Sequence, residues 1–491
     1  MAVQNADAGS NDSGSAAVTA DAVNNLAGRL RPDFTLGVAA AAFQIEGALA
    51  ADGRGPSGWD AFAAKPGNIL HGHSPAVACD HYNRVPEDVA LMRELGIDSY
   101  RFSISWPRVH PDGSGTANPR GLDFYDRLVD LLLAAGISPM ATLYHWDTPL
   151  PLERSGGWMN RATAGRFAEY AAAAGQRLGD RVAQWVTLNE PVSVTLNGYA
   201  LGVHAPGRDL LFKALPSVHH QLLGHGLAVQ ALRAAGVAGS IGVTNLHSPV
   251  RPATRRLADR LLAKVCDLVL NRVYADPILL GRYPAPPLAA RPWFRFLSRT
   301  SDDDLRLISQ PLDFYGVNYY YPVRVAAGQG PPETPAGNAR AMARVPFHFA
   351  AFPEYATTGF GWPVAPDHLG ILLRELKDRY GEALPPVYIT ESGASFPEPE
   401  HVTGPIADSG RIDYLAHHLG QAVNATAAGG IAHDVQLLGY FVWTFMDNFE
   451  WAAGYSQRFG LVHVDFETLK RTPKKSFYWL QALSRARART A

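Results

Sequence analysis

From residue 34 onward the chain alternates short apolar, β-branched or aromatic runs with longer segments whose apolar residues recur at helical spacing. Residues 34–43 read as a first strand running into Gln44-Ile45-Glu46-Gly47. A helix over 86–95, stopped by Gly96, leads to a second strand at 99–106. Helix 121–135, strand 138–144, helix 163–178 and a fourth strand from Gln184 to Glu190 follow, the last ended by Pro191. The second half repeats the rhythm. Helix 218–235 precedes strand 240–245, helices over 257–273 precede strand 313–321, and helix 367–380 precedes a strand from Val387 to Glu391. Helix 413–428 and strand 436–445 complete the series. Strict alternation predicts a parallel α/β sheet, and eight strand units predict a single closed (β/α)8 TIM barrel. A doubly wound open sheet is the alternative, but it calls for a Gly-rich phosphate loop after its first strand, and the sequence has none.

Polar residues punctuate the strand ends. Glu46, Arg101, His145, Asn189 with Glu190, Asn245, Asn318 with Tyr320, Glu391 and Trp443 all fall near the C-terminal ends of their runs, the catalytic face of such a barrel. The long irregular segments, 48–73, 323–361, 396–411 and 446–459, also follow strands and should wall that face. Residues 1–30 are expected to be a disordered tail, because the first 28 are rich in Ala, Asn, Asp, Ser and Gly. They also lack the basic start and apolar stretch of a secretory signal. The barrel should then occupy 31–491, in the cytoplasm.

Composition narrows the chemistry. A formal net charge of −1 leaves no electrostatic footprint for nucleic acid or an anionic membrane, and no apolar run reaches spanning length. Cys79 and Cys266 are read as reduced core thiols. Ten Trp and nineteen Tyr supply flat apolar faces with polar tips, suited to sugars and to ordinary cores alike. There is no Walker loop, no GxSxG elbow and no HExxH, and the adjacent pairs His219-His220 and His417-His418 point in different directions on a helix. No metal or organic cofactor is expected.

Two stretches share one design. Val387-Tyr388-Ile389-Thr390-Glu391-Ser392-Gly393 and Gln184-Trp185-Val186-Thr187-Leu188-Asn189-Glu190-Pro191 each deliver a Glu at the end of an apolar strand and then break. A lone Glu there would cap a turn as readily as it would do chemistry. Two of them, at the ends of the fourth and seventh strands, are what acid/base and nucleophilic work at a glycosidic bond requires. Arg101, a cation inside an apolar strand, must be paired, and a catalytic carboxylate is its natural partner. Gln44, His145, Asn189 and Glu450 can bond hydroxyls, and Trp443 and Trp451 can offer stacking faces.

With these residues in place, the chain resembles glycoside hydrolase family 1, the β-glucosidase type. The resemblance rests on an ordered set of motifs: Phe43-Gln44-Ile45-Glu46-Gly47, Arg101 through Arg108, His145-Trp146-Asp147, Thr187 through Pro191, His204-Ala205-Pro206-Gly207, Asn318-Tyr319-Tyr320, Ile389 through Gly393, and Trp443 through Trp451. It implies that Glu190 is the general acid/base and Glu391 the nucleophile, with Arg101 and Tyr320 holding Glu391 ionised. It also implies that Gln44, His145, Trp146, Asn189, Asn318, Glu450, Trp451 and Phe459 bind substrate, with Trp443 as the floor and Trp362 on the leaving-group side.

Glu at 190, where thioglucosidases of the family carry Gln, implies an O-glycosidase. Glu450, where members acting on 6-phosphosugars usually carry Ser, implies an unphosphorylated sugar. Two positions depart from the pattern. Ser392 stands where the family usually has Asn, which should alter the positioning of Glu391 without abolishing activity, and Leu150 replaces a polar residue. The expected activity is therefore retaining β-glucosidase. β-Galactosidase, β-fucosidase or transglycosidase action at the same site, and a non-catalytic sugar-binding relic, are the alternatives. A retaining site places its carboxyl groups roughly 5–5.5 Å apart. The first sugar released from a β-glucoside should accordingly be the β-anomer, followed by NMR before mutarotation; α-anomer first would reverse the assignment.

Overall fold

The computed structural model describes residues 19–328, 330, 345, 347–399 and 404–490. Eight parallel strands close into a barrel: β1 (Thr35–Ala39), β2 (Ser99–Ser103), β3 (Ser138–Tyr144), β4 (Gln184–Asn189), β5 (Ser240–Leu246), β6 (Phe314–Asn318), β7 (Val387–Ser392) and β8 (Leu437–Trp443). Each strand pairs with its sequence neighbours, and β1 closes the ring on β8 through Thr35–Gly439 to Ala39–Trp443. Helices such as Pro119–Ala134, Ala162–Leu178, Leu215–Ala234 and Asp367–Tyr380 pack outside, as expected for a βα repeat. The interior beneath the site is solid. Met140, Val186, Phe314, Tyr388 and Phe441 pack together there, and the absence of a side chain at Gly37 and Gly242 leaves room for the Phe441 and Phe314 rings.

Besides a shift in β8, where Leu437 and Gly439 face the adjacent Val387 and Tyr388, two strands depart from a regular ladder near the site. Between β4 and β5, Val186 faces Gly242 and Asn189 faces Thr244, so three steps on β4 match two on β5. Between β7 and β6, Ile389 faces Val317 and Glu391 faces Asn318, so two steps match one. Each strand thus carries one extra residue just before its terminal Glu. A bulge of this kind breaks the in–out alternation and re-aims the side chains that follow.

Several expected elements differ in detail. The first strand stops at Ala39, and Ala42–Ile45 is helical, started by Ala42 N–H donating to Ser103 Oγ at 2.7 Å. The second strand stops at Ser103, and Trp106–Val109 forms a turn of helix with Pro107 in its first turn. The segment 323–361, expected to be irregular, contains strands Val323–Ala327 and Phe347–Ala350. They form a three-stranded sheet with Val250–Pro252. Most of the expected segment between these strands lies outside the described residues.

The expected disordered tail also needs correcting. Residues 1–18 lie outside the described residues, but Ala20–Ala27 is a helix, capped by the Thr19 hydroxyl, which accepts from Ala22 N–H. Its Val23, Leu26 and Ala27 are buried and it packs on the C-terminal helix Lys475–Thr490. Those three positions make one stripe at helical spacing, short enough to be lost among the polar residues around it. Leu26→Ala should cost about 2 kcal/mol. It should appear as a lowered urea midpoint with catalytic constants unchanged; a wild-type midpoint would mean the helix contributes nothing.

Candidate active site

The site lies at the C-terminal ends of the barrel strands. Glu391, the fifth residue of β7, is buried and receives a donor on each oxygen. Arg101 Nη1, from β2, donates to Oε1 at 2.5 Å, and the Tyr320 hydroxyl donates to Oε2 at 2.7 Å. Every other polar edge of the guanidinium is engaged: Nε donates to Thr142 Oγ1 at 3.1 Å and Nη2 to Asn189 Oδ1 at 2.7 Å. Burial, with Glu391 and Glu190 nearby, pushes the Tyr320 phenol well up, so it stays a donor.

Glu190 follows β4 directly and adopts φ 46°, a left-handed conformation unusual for a side chain of its size. Its Oε1 accepts from Asn318 Nδ2 at 2.7 Å and its Oε2 from the Ser193 hydroxyl at 2.7 Å. Burial and then the charge of Glu391 push its carboxyl up to about 7, against the two donors and Arg101. The two carboxyl groups therefore have opposite settings, one clamped by a cation and one poised to carry a proton.

Asn189 links them. Its Oδ1 accepts from both Arg101 and Asn318 (3.1 Å), which fixes the amide so that Nδ2 faces His145 Nε2 at 3.1 Å. That donor requires Nε2 of His145 to be an acceptor, leaving the ring neutral with its proton on Nδ1. Burial and then Arg101 hold the imidazole well below its usual range, in agreement.

The opposite side is set by the loop after β8. Gln44 Nε2 lies within bonding distance of Asn448 Oδ1 (2.9 Å), Phe449 O (3.1 Å) and Glu450 Oε2 (3.3 Å). Burial, then Glu391, pushes Glu450 up to about 8. That shift favours its protonated form, which can donate as well as accept.

The aromatic residues form two groups. The His145 ring stacks near Trp443 at 5.7 Å and Trp451 at 5.9 Å, and Trp146 lies 4.4 Å from Trp451. Trp146 and Trp451 have φ of 78° and 52°, so three residues of the site are backbone-strained. The Trp146 indole N–H donates to Asn189 O at 2.9 Å, which leaves only its ring for a ligand. Trp362 stacks against Tyr321 and Phe360 and meets Tyr320 edge-on at 5.6 Å. Phe459 is buried 6.0 Å behind Trp362.

Residue-by-residue reading did not single out Thr142, Ser193 or Asn448 as supports. Only Ser193 left a signal: it sits three residues after Glu190 at a helix start, a spacing at which a hydroxyl can reach back. The Ser392 hydroxyl meets the Tyr414 hydroxyl at 3.4 Å.

Behind the β8 loop lies a buried ionic network. Lys474 Nζ reaches Glu398 Oε2 at 2.6 Å and Asp447 Oδ1 at 2.8 Å, Arg411 reaches Glu398 and Asp408, and Arg458 reaches Asp447. Glu398, Asp447 and His463 together resemble a metal-ligand set. The cation between the two carboxylates is the lysine ammonium. Cys79 and Cys266 are free and buried. No helix among the described residues is long and apolar enough to cross a membrane.

A parallel eight-stranded barrel with two contrasting buried carboxyl groups at its strand ends has the architecture of a (β/α)8 glycoside hydrolase. The glycosyl hydrolase family 1 model matches residues 26–488, and the chain belongs to that family. It is 42% identical over 448 residues to beta-glucosidase A of Thermotoga maritima, covering 91% of this chain and 95% of that protein. It is 41% identical over 458 residues to the bifunctional beta-D-glucosidase/beta-D-fucosidase of Bifidobacterium breve, covering 91% and 96%. Among solved structures, virulence factor SghA from Agrobacterium tumefaciens superposes with a TM-score of 0.87 at 42% identity, over 94% of this chain and 99% of that one. SghA has also been solved with its substrate analog salicin.

With Glu190 as the acid, kcat/KM should fall as pH rises through about 7, where its carboxyl gives up its proton. Replacing Glu391 with Gln removes the neighbouring charge and should lower the Glu190 midpoint in a carboxyl NMR titration. An unmoved midpoint would mean the two groups are not coupled.

Proposed function

We propose that this chain is a retaining β-glucosidase that releases the terminal, unphosphorylated β-D-glucosyl residue of small O-glucosides. The observation that carries this reading is the contrast between Glu391, held by Arg101 and Tyr320, and Glu190, buried with its carboxyl pushed up to about 7. Glu391 attacks the anomeric carbon while Glu190 gives its proton to the departing oxygen, leaving a glycosyl ester on Glu391. Esterification removes the neighbouring negative charge, so Glu190 becomes a stronger acid and can hold the carboxylate form. It then takes a proton from water as that water attacks the ester-linked carbon, releasing glucose and restoring both groups. Gln44, His145, Asn189, Glu450 and Trp451 hold the sugar hydroxyls over Trp443, with the His145 Nδ1 proton available to one of them. The aglycone lies toward Trp362.

β-Fucosidase action at the same site is the second reading, favoured by the bifunctional relative. A cytoplasmic location accompanies the proposal, supported by two buried thiols that remain unpaired.

Two experiments test the assignment. Glu391→Gly should abolish hydrolysis for every leaving group and, with azide, yield the α-glycosyl azide. Glu190→Ala should lose most on poor leaving groups and yield the β-glycosyl azide, since a good leaving group departs unaided. The opposite anomers would exchange the two roles. A 6-phosphoglucoside should be hydrolysed far more slowly than the matching glucoside. Arg101 is already spent on Glu391, and a neutral Glu450 offers no counter-charge. Faster turnover of the phosphosugar would refute this.

A further inference from the structure

The acid/base depends on an amide whose own orientation is set from elsewhere. Asn318, fully buried at the end of β6, directs Nδ2 to Glu190 Oε1 at 2.7 Å and to Asn189 Oδ1 at 3.1 Å. Both partners are acceptors, so its Oδ1 must face a donor. That donor is the Thr390 hydroxyl, at 2.8 Å. The Thr390 oxygen in turn accepts from the Thr244 hydroxyl at 3.2 Å.

Two features of the backbone make this chain of bonds possible. Thr390 immediately precedes the nucleophile on β7, and regular alternation would send one of the two to the far face of the sheet. The extra residue between Ile389 and Glu391 allows both to reach groups of the site. Thr244 and Thr390 lie on β5 and β7, with β6 between them, and Gly316 of β6 lies beneath their contact. A methyl group at Gly316 would come within 2.3 Å of Thr244 Oγ1 and 3.0 Å of Thr390 Oγ1. The two hydroxyls meet across a strand because that strand has no side chain there.

We propose that Thr390, braced by Thr244, is a positioning residue that orients the Asn318 amide toward Glu190, so that the nucleophile strand sets the hydrogen bonding of the acid/base. The proposal rests on Glu190 acting as acid/base. Without the Thr390 hydroxyl, Asn318 Oδ1 is buried without its donor, and the amide gains by turning or withdrawing. Glu190 then loses a donor that favours its charged form. The other groups around it, Glu391, Glu450, Arg101, Tyr320, Tyr321 and Ser193, remain in place. The net effect is to favour protonated Glu190, which suits the first step and hinders the second.

The test uses the full chain with Thr390→Val, Thr390→Ser and Thr244→Val, each checked for folding by its melting temperature. For Thr390→Val, kcat/KM on an alkyl β-glucoside, which reports the first step, should hold or rise by up to about two-fold at neutral pH. Its alkaline limb should move up by about one pH unit. With a dinitrophenyl β-glucoside, whose second step limits, the acidic limb of kcat should move the same way. Thr390→Ser should restore both profiles, and Thr244→Val should shift them in the same direction by less. Limbs that stay in place in a folded Thr390→Val, or a Ser variant no better than Val, would overturn the proposal. If Thr390→Val does not fold, unmoved limbs in Thr244→Val would do so. Wild-type enzyme inactive on all β-glucosides would instead remove the function on which the proposal rests.

Discussion

Three carboxyl groups, Glu190, Glu391 and Glu450, share one buried pocket with the guanidinium of Arg101. In a low-dielectric interior they cannot all be charged, because each negative charge raises the cost of the next. Arg101 touches one of them directly, which selects Glu391 as the ion, and the other two are pushed toward their protonated forms. The remaining polar groups arrange themselves around that division. Asn189 presents its oxygen to Arg101 and its nitrogen to His145, Asn318 presents its nitrogen to Glu190, and His145 is left neutral.

Such a pocket needs rigid walls, since a buried charge that loses its partner is costly. The second ionic network, from Arg411 through Glu398 and Lys474 to Asp447 and Arg458, supplies one. Asp447 lies three residues before Glu450 and also accepts from Gly460 N–H at 2.9 Å. The loop carrying Glu450 and Trp451 is therefore pinned to the C-terminal helix and to the β7 loop. This bracing holds Trp451 at positive φ, a conformation it would not keep alone.

The barrel was legible because its signals are local and repeated. Eight apolar runs separated by helical spacing, with polar residues at matched ends, lead to the observed strands within a few residues. Glu190, Glu391 and Arg101 were legible for a different reason: charge at the end or in the middle of an apolar strand is expensive and must be explained. What stayed hidden depends on contacts distant in sequence. Ala42–Ile45 coils although its residues suit a strand, because Ser103 offers its backbone a partner. The Ala20–Ala27 helix is held by the chain's other end. Gly316 reads as a weak point in a strand, and only the two threonines above it explain its absent side chain. The protonation of Glu450 depends on neighbours that assemble only in the fold.

The single extra residues in β4 and β7 bear on transplantation. An idealised (β/α)8 scaffold has uninterrupted ladders, so copying Asn189-Glu190 and Thr390-Glu391 onto its strand ends would turn one member of each pair outward. Lengthening those two strands by one residue each is thus a precondition for grafting, ahead of any choice of side chains. The same arithmetic bears on drift within natural relatives. Losing one residue in either stretch would disarm the centre while leaving the barrel closed, whereas the loops above can gain or lose residues with the carboxyl pair intact.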